Sequence, residues 1–594
     1  MTGYRRALGP RPTRPPAGSP PGGSPAAWCG AHRAVPLSEL AAAWPGAEQR
    51  GGDVAVVDCT HDSRQVRPGW LFCAMPGART DGHRHAAAAV AAGARALLVQ
   101  RFLDLEIPQL RVPNVRWAIG PIAAALHGRP ADGLAIAGVT GTNGKTTTSY
   151  LLHAAFVAAG WPAGQLGTVE TRIGAHRWAS ALTTLEAPDL QRLFGRMRAA
   201  QLRAAAMEVS SHALDQHRIG GIVFDVGVFT NLSAEHLDYH GTMEQYYYSK
   251  SLLFLPERCR RALICVDDDW GARLAAQAQV PVLTFGHSER AQARITAAHC
   301  DRSGTWIRLD CADGPVELSA PVLGACNTTN LAAAYLAARA LRVPADRAVA
   351  GIAGCPPVPG RSEAVTAGQP FLVLVDYAHT PGALAQQLAT CRDLLAPGGR
   401  VHLVVGSRGG RDRYKRPETG RAALAADTTV LTSDSPGDED PRAIVEQMLA
   451  GGLGQSDGRV LVELDRAAAI RLAVGLAGPG DVVLVVGRGH ETSQQVAGRE
   501  VPFDDREQAR AALAARGWVG AGAGAGVGAT TVGGLRRPVA VRGRHRGRGR
   551  AKAGRGWPGL GVTVCDLTHG RGGPALLGYL DPAEEPTARP APPL

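Results

Sequence analysis

The stretch GVTGTNGKTTTSYLL, residues 138–152, decides the fold because it joins the end of an apolar run to the start of a helical segment. LAIAGVTG predicts a buried strand and TTTSYLLHAAFVAAG predicts a helix, so the order is strand, loop, helix. Gly141 and Gly144 let backbone N–H groups approach an anion, and the helix adds the positive end of its dipole. The stretch therefore predicts a phosphate-binding loop, although its glycines fall one residue off the G-x-x-x-x-G-K-[ST] spacing.

The polar residues of this loop predict an ATP site with Mg²⁺. Lys145 would neutralise the β and γ phosphates, and the Thr146 hydroxyl would ligate the metal. The predicted nucleotide contacts in the loop are Gly141, Thr142, Asn143, Gly144, Lys145, Thr146 and Thr147.

The chain is long enough for several domains. It has 594 residues, 45% apolar and 20% charged, which is typical of globular proteins. Strand candidates alternate with helical stretches, and this alternation predicts an α/β fold. The predicted units are a disordered extension over 1–36, an N-terminal domain over 37–130, a central domain over 131–354, a C-terminal domain over 355–518, and a low-complexity basic tail over 519–594.

The net charge of +12 is concentrated near the two ends. Residues 1–36 carry five arginines, residues 536–555 carry nine lysines or arginines, and neither segment has an acidic residue. The folded body is then close to neutral, so no nucleic-acid footprint is expected on it. We expect the basic tail to be disordered, with contact to nucleic acid or to the cell envelope as the alternative.

The apolar and cysteine patterns predict a cytoplasmic protein. No run of 18 apolar residues and no secretory leader is apparent, which predicts no membrane span. The eleven cysteines are scattered without a C-x-x-C pair, as expected for free thiols in a reducing compartment.

Two later strands end in polar residues that could hold a metal. Glu208 ends the strand candidate AAAME, and glutamate is rarely buried without a partner. NLSAEHLDYHG, residues 231–241, follows the next strand with two acids and two histidines. His236 is the candidate ligand of this cluster, with a structural histidine as the alternative.

Several motifs in order, GTNGKTTT, EVSSHALDQHR, TNLSAEHLDYHG, YYYSK, VDYAHTP and GRGHE, resemble those of the Mur ligases of peptidoglycan synthesis. DSRQVRPGWLFCAMPG and HALDQHR resemble the branch that adds the third amino acid. The resemblance runs from about Leu37 to Gly517. It implies three domains, with a central P-loop ATPase domain, a UDP-binding N-terminal domain and a Rossmann-like C-terminal domain that binds the amino acid.

The resemblance also implies a reaction. ATP would phosphorylate the terminal carboxylate of UDP-N-acetylmuramoyl-L-alanyl-D-glutamate, and the amine of a diamino acid would attack the acyl phosphate. One Mg²⁺ would be held by Thr146 and Glu208, and a second by His236 and a carbamylated Lys250. The alternative for Lys250 is an exposed helix lysine. The implied catalytic residues are Lys145, Glu208, His236 and Lys250.

Further contacts are implied residue by residue. For the UDP-linked substrate they are Ser63, Thr183, Thr184, Ser210, Gln216 and Arg218. For ATP outside the loop they are Asn327, Asn330, Asp376 and His379. For the incoming amino acid they are Arg411, Asp434, Ser435, Gly437, Gly487 and Glu491.

The amino-acid segment departs from the family pattern. Family members that add diaminopimelate carry D-N-P-R, in which the arginine meets a carboxylate, whereas this chain has Asp434, Ser435, Pro436 and Gly437. GSRGGRDR also replaces the usual GCGGDRD, and TTL and Cys326 replace a TTP turn and an aromatic residue. Arg411 and Glu491 favour meso-diaminopimelate, but the lost arginine favours L-lysine or another diamino acid.

Two other functions stay open at this point. These departures would also suit a paralogue that acts on another carboxylate. A nonenzymatic homologue could bind nucleotide, or a cell-wall partner through the basic tail, although Lys145 and Lys250 are both retained. The sequence leaves the oligomeric state open.

Overall fold

The computed structural model describes residues 33–77, 80–411, 413–452 and 459–518. The predicted basic tail lies outside these residues, as does most of the predicted N-terminal extension. Val35 and Pro36, the last two residues of that extension, form a strand paired with Ala55 and Val56, and the Val35 side chain is buried. The extension therefore ends before Val35 and not at residue 36, because this valine packs into the first apolar core.

The N-terminal part of the chain forms a small α/β unit. Its elements are β1 (Val35–Pro36), α1 (Leu37–Ala42), β2 (Glu48–Arg50), β3 (Ala55–Val56), β4 (Cys59–Thr60), β5 (Leu71–Cys73), α2 (Ala86–Ala91), β6 (Ala96–Val99), β7 (Gln109–Arg111) and α3 (Val115–Leu126). Five strands make a sheet in the order β2-β7-β6-β5-β4, antiparallel only between β2 and β7. Asn114 begins α3 by accepting a hydrogen bond from the Trp117 backbone.

The central part is built on one large sheet. Its strands are β8 (Ala135–Thr140), β9 (Ala163–Leu166), β10 (Glu170–Ile173), β11 (His176–Ala179), β12 (Ala204–Glu208), β13 (Val226–Phe229), β14 (Ala262–Cys265), β15 (Val282–Gly286), β16 (Ala293–Asp301), β17 (Gly304–Cys311) and β18 (Gly314–Ala320). Their order is β11-β10-β9-β12-β8-β13-β14-β15-β16-β17-β18. Neighbours from β9 to β16 are parallel, and antiparallel strands extend both ends.

Helices cover both faces of this sheet. They are α4 (Lys145–Ala158), α5 (Ala187–Ala199), α6 (Ser211–Asp215), α7 (Leu237–His240), α8 (Met243–Ser251), α9 (Asp269–Gln277), α10 (Asn327–Ala340) and α11 (Ala345–Ala353). Buried residues of α4 and α10 share one apolar core, and those of α5 and α8 share another. Strands buried on both faces read as continuous apolar runs, which is why β8 and β13 were recognisable in the sequence.

The third part repeats the α/β pattern on a smaller scale. Its elements are β19 (Glu363–Ala364), β20 (Leu372–Asp376), α12 (Pro381–Asp393), β21 (Val401–Val405), α13 (Lys415–Ala423), β22 (Thr428–Leu431), α14 (Pro441–Leu449), β23 (Val460–Val462), α15 (Arg466–Leu476), β24 (Val482–Val486), β25 (Ser493–Val496), β26 (Arg499–Pro502) and α16 (Asp505–Ala515). The sheet order is β19-β20-β24-β21-β22-β23, and only β19 is antiparallel.

The sheet topology brings the candidate residues to a few strand ends. The loops after β8, β12 and β13 leave three adjacent parallel strands at their carboxyl ends, where ligands collect in such sheets. The predicted α/β class and three-domain architecture are confirmed. In the part of the chain that the structure describes, no helix is long and apolar enough to span a membrane.

Candidate active site

The phosphate loop, residues 141–147, is fixed by the segment that follows β13. The Thr142 backbone N–H donates to the Asn231 carbonyl at 2.9 Å, and the Asn143 N–H donates to the Asn231 side-chain oxygen at 2.9 Å. The Thr230 hydroxyl donates to the Asn143 carbonyl at 2.6 Å. Residues 230 and 231 thus fix the conformation of the loop, and α4 begins within it.

Gly144 allows α10 to pack against the loop. Its φ is +88°, and a Cβ there would lie 2.3 Å from the Asn330 side-chain oxygen. Asn330 in turn donates to the Asn327 side-chain oxygen at 2.9 Å. The two predicted adenine-side asparagines therefore lie together beside the loop, and no other residue type fits at Gly144 without moving them.

Lys145 folds back over the loop. Its ammonium donates to the carbonyls of Gly141 and Thr142, both at 2.7 Å. Burial lowers the pKa of Lys145, although Glu235 and Glu208 favour the charged form. The side chain is long enough to exchange these carbonyls for phosphate oxygens.

Glu208 is a buried carboxylate at the end of β12. Its two oxygens accept hydrogen bonds from the Thr146 hydroxyl at 3.0 Å, the Thr168 hydroxyl at 2.9 Å and the Thr168 backbone N–H at 2.8 Å. The group is 0% exposed, and its partners are neutral oxygen and nitrogen groups. A buried anion with two hydroxyl groups beside it is the oxygen-rich donor set that a hard divalent cation prefers. The predicted pair of Thr146 and Glu208 is thus brought together and fits Mg²⁺.

Lys250 is buried behind the phosphate loop and is not an exposed helix lysine. Its side chain is 1% exposed, its ammonium donates to the Gly141 carbonyl at 2.9 Å, and it lies 4.5 Å from the centre of the Tyr246 ring. Burial and the charge of Lys145 hold its pKa well below the usual range, opposed by Glu235. These surroundings disfavour the charged ammonium form of Lys250.

His236 begins α7 with a positive φ of 56°. Its ring is 3.8 Å from the Glu235 carboxylate, and burial lowers its pKa to about 4. A neutral imidazole is able to bind a metal. Among the described residues, no group of three or more His, Cys, Asp or Glu is placed to hold a metal ion.

Two cavities meet at the phosphate loop. The first, about 540 Å³, contains Asn327, Asn330 and Asp376 in its wall. The second, about 410 Å³, is bordered by Glu208 and Lys250. Both are lined by Asn143, Gly144, Thr147, Glu235, Arg361, Tyr377 and His379. The loop thus separates a space suited to a nucleotide from a space suited to a second substrate.

Arg361 is a site residue that the sequence interpretation missed. It ends the Pro-rich segment GCPPVPGR, residues 354–361, which precedes the third part of the chain. The guanidinium donates to the Thr146 hydroxyl at 3.2 Å and lies 4.6 Å from the centre of the Tyr377 ring. A lone arginine at the end of a Pro-rich connection gives no local signal, and only the approach of the third sheet brings it to the loop.

Four of the six predicted UDP-side residues, Thr184, Ser210, Gln216 and Arg218, form one hydrogen-bonded group. The Ser210 backbone N–H donates to the Thr184 hydroxyl at 3.0 Å, and Arg218 donates to the Thr184 carbonyl at 3.1 Å and to Gln216. Thr183, Thr184, Ser210 and Arg218 line the second cavity. Ser63 lies apart in a short 3₁₀ turn of the N-terminal unit, outside the lining of both cavities.

Four charged residues in the third part form what we call the charge cluster: Arg408, Asp434, Arg488 and Glu491. Arg408 is ion-paired with Glu491, and its Nε lies 4.0 Å from Asp434 Oδ1. Arg488, fully buried, donates to the Ser435 hydroxyl at 2.7 Å and lies 3.5 Å from Asp434. Arg408 and Arg488 were not predicted as site residues, because both owe their place in the cluster to Asp434, which follows a different strand.

The other predicted amino-acid contacts differ in how they relate to this cluster. Gly487 is required, since a Cβ there would lie 2.5 Å from Asp434 Oδ2. Arg411 lines the second cavity, whereas Gly437 pairs its backbone with Gln495 and Ala497 at the edge of the third part.

The two predicted ATP contacts of the third part lie near the loop region. His379 lies 3.5 Å from Glu235, and Asp376 is buried and accepts backbone hydrogen bonds from Ser362 and Ala378.

Three segments match family models. Residues 56–125 match the Mur ligase family, catalytic domain, residues 139–338 the Mur ligase middle domain, and residues 360–489 the Mur ligase, glutamate ligase domain. The chain is 43% identical over 492 residues to the UDP-N-acetylmuramoyl-L-alanyl-D-glutamate--2,6-diaminopimelate ligase of Streptomyces coelicolor, across 81% of this chain and 96% of the relative. The protein of the same name from Geobacillus thermodenitrificans is 40% identical over 488 residues, across 81% and 99%.

Solved structures share the fold. A structure of UDP-N-acetylmuramoyl-L-alanyl-D-glutamate--2,6-diaminopimelate ligase is 31% identical with a TM-score of 0.61, and the match covers 82% of this chain and 99% of that one. MurF from Acinetobacter baumannii is 20% identical with a TM-score of 0.56, across 76% and 96%. The family models, the identity to these relatives and the shared architecture lead to one conclusion: the chain belongs to the Mur ligase family.

Proposed function

We propose that this protein joins 2,6-diaminopimelate to UDP-N-acetylmuramoyl-L-alanyl-D-glutamate at the expense of ATP, releasing ADP and phosphate. The observation that carries the proposal is that the phosphate loop lines two cavities and that Lys145, Glu208 and Lys250 line the second of them. The names of the relatives support the substrates. A cytoplasmic location belongs to the same proposal, since ATP and UDP-linked precursors are cytoplasmic metabolites.

The first cavity would take ATP, with the adenine near Asn327 and the phosphates on the loop. Lys145 would transfer its hydrogen bonds from the loop carbonyls to phosphate oxygens. A carboxylate oxygen of the UDP-linked substrate then bonds to the γ-phosphorus while the bond to the ADP oxygen breaks. Two anions must approach each other in this step, so fixed positive charge and positioning supply most of the rate enhancement.

Arg361 extends this positive charge from the third part of the chain. Its guanidinium already contacts Thr146 and stacks on Tyr377, so it would lie close to the transferred phosphoryl group. In the second step the amine of the amino acid bonds to the acyl carbon and phosphate leaves. Arg218, Thr183 and Thr184 would hold the UDP-linked substrate for both steps.

The residues around Glu208 would hold Mg²⁺. Thr146 and Glu208 offer oxygen ligands, and His236 offers a neutral imidazole. When bound, Mg²⁺ neutralises charge that develops on the phosphate oxygens. Lys250 would contribute as a carbamate, formed when its amine adds to carbon dioxide with loss of a proton, because this turns a buried amine into an oxygen ligand.

Product formation tests this function directly. Purified full-length protein should release ADP and phosphate only when ATP, UDP-N-acetylmuramoyl-L-alanyl-D-glutamate and meso-diaminopimelate are all present, with one UDP-linked tripeptide formed per ADP. Replacing meso-diaminopimelate by L-lysine measures the amino-acid preference. No turnover with either amino acid would refute the proposal, and turnover with a different carboxylate acceptor would favour a paralogue of changed specificity.

A further inference from the structure

The charge cluster places two carboxylates and two guanidinium groups in alternation. Arg408 contacts Glu491 and approaches Asp434, and Arg488 lies 3.5 Å from Asp434 and 3.6 Å from Glu491. Such an arrangement is complementary to a zwitterion, since an ammonium group and a carboxylate group can each find an opposite charge there. An amino acid is the zwitterion of the proposed reaction.

Two buried polar atoms of the cluster lack a hydrogen-bond partner. They are Asp434 Oδ1 and Arg488 Nε. The Asp434 side chain is 2% exposed and that of Arg488 is 0% exposed, so both atoms would be costly to leave unpaired. Asp434 Oδ1 is within ion-pair distance of both guanidinium groups but accepts no hydrogen bond, so it could still accept one from a donor group of a ligand.

Arg408 is the member of the cluster that reaches open space. Its side chain is 35% exposed, compared with 22% for Glu491. Gly437, which takes the place of the family arginine in D-N-P-R, offers no side chain, and a Cβ built there has no heavy atom within 4 Å. An arginine side chain at this position would therefore meet no protein atom at its Cβ, and Arg408 is an arginine that the changed GSRGGRDR loop adds.

The charge cluster lies outside the lining of the second cavity but interacts electrostatically with Tyr377, which belongs to that lining. Tyr377 lines that cavity together with Arg411. Burial raises the pKa of Tyr377, and the positive charge of Arg408 is close enough to oppose that rise. A ligand could thus contact the charge cluster while its reacting amine extends toward the phosphate loop.

We propose that Arg408 binds the second carboxylate of the incoming diamino acid, the role left vacant by Gly437, and thereby selects a diamino dicarboxylic acid over a diamino monocarboxylic acid. This inference rests on the proposed function and names the specificity determinant within it. The planar guanidinium offers a carboxylate two parallel donors, which a lysine ammonium does not. Glu491 holds the guanidinium in place from its other side.

The test compares full-length wild type with Arg408→Ala and Arg408→Lys, using meso-diaminopimelate and L-lysine at saturating ATP and UDP-linked dipeptide. Removing one partner of a desolvated charge pair should raise the KM for meso-diaminopimelate by about 30-fold or more. The KM values for ATP and the UDP-linked dipeptide should stay unchanged, and the preference for meso-diaminopimelate over L-lysine should fall in parallel. Arg408→Lys should give an intermediate loss.

Arg413→Ala is the matched control, because it removes the same charge a few residues along the chain, where the side chain is 68% exposed and pairs with Glu439. Its kinetics should equal those of the wild type. Equal losses for all substrates in Arg408→Ala, or an unchanged amino-acid preference, would overturn the inference while the proposed function stands. Wild type that prefers L-lysine would also overturn it. Wild type inactive with both amino acids would refute the proposed function itself.

Discussion

The phosphate loop and the charge cluster are built in different ways. The loop and its supports come from short contiguous motifs, and its hydrogen bonds join the loop backbone to Asn231 and to the side chain of Lys145. The charge cluster joins Arg408, Asp434, Arg488 and Glu491 from the loops after three different strands. We propose that the loop carries the phosphate chemistry and that the charge cluster carries the choice of amino acid.

The largest effect is expected at Lys145. Lys145→Ala removes the charge that the loop directs toward the phosphates, and kcat should fall by about 10²- to 10³-fold. Steady-state ADP release with saturating substrates measures this. Lys415→Ala, the same charge change at a lysine outside both cavities, is the control. Normal kcat in Lys145→Ala would mean that the loop does not act on phosphate.

A loss of about 10²-fold is expected in Lys250→Ala, because the metal would lose an oxygen ligand. Turnover is measured with and without a short-chain carboxylic acid, which could enter the vacated space and restore part of the activity. Full activity in Lys250→Ala would exclude a carbamate at this position. If Lys250→Ala is inactive and the carboxylic acid restores no activity, Lys250 acts by packing against Tyr246.

Adding a single methyl group at Gly487 should weaken amino-acid binding by the charge cluster. Gly487→Ala would place a Cβ 2.5 Å from Asp434 Oδ2 and displace that carboxylate. The KM for the amino acid should rise by about 10-fold, with kcat for ATP turnover less affected. Gly475→Ala, in α15 with no heavy atom near its Cβ, is the control. Equal KM values for both variants would separate Asp434 from amino-acid binding.

The smallest effect is expected on the pH dependence of the unfolding free energy, through His153, which lies outside the phosphate loop and the charge cluster. Burial, with a contribution from Arg172, lowers the pKa of His153 to about 4, so the unfolded chain binds this proton between about pH 4 and 6.5 and the folded chain does not. The free energy of unfolding should therefore fall by about 1–3 kcal/mol as the pH falls through that window. Urea unfolding of His153→Gln should give an unfolding free energy that depends less on pH than that of the wild type. The control His299→Gln, which changes an exposed histidine, should show the same pH dependence as the wild type.

Sequence patterns predicted the sheets and the phosphate loop because buried parallel strands are apolar throughout and the loop is contiguous. The same reasoning placed Glu208 and Lys250 correctly near the loop, the latter only through the family resemblance. Arg361 and Arg408 could not be predicted as site residues. Their positions depend on how the third sheet approaches the central one and on ion pairs between distant loops, which leave no periodic signal.

Isotope transfer tests the central claim that the loop activates a carboxylate. UDP-N-acetylmuramoyl-L-alanyl-D-glutamate is labelled with ¹⁸O in its terminal carboxylate and turned over with ATP and meso-diaminopimelate, and the released phosphate is analysed by mass spectrometry. Transfer through an acyl phosphate predicts one ¹⁸O atom in each phosphate released. Unlabelled phosphate alongside the UDP-linked tripeptide would contradict the account, because the carboxylate would then have been activated in another way.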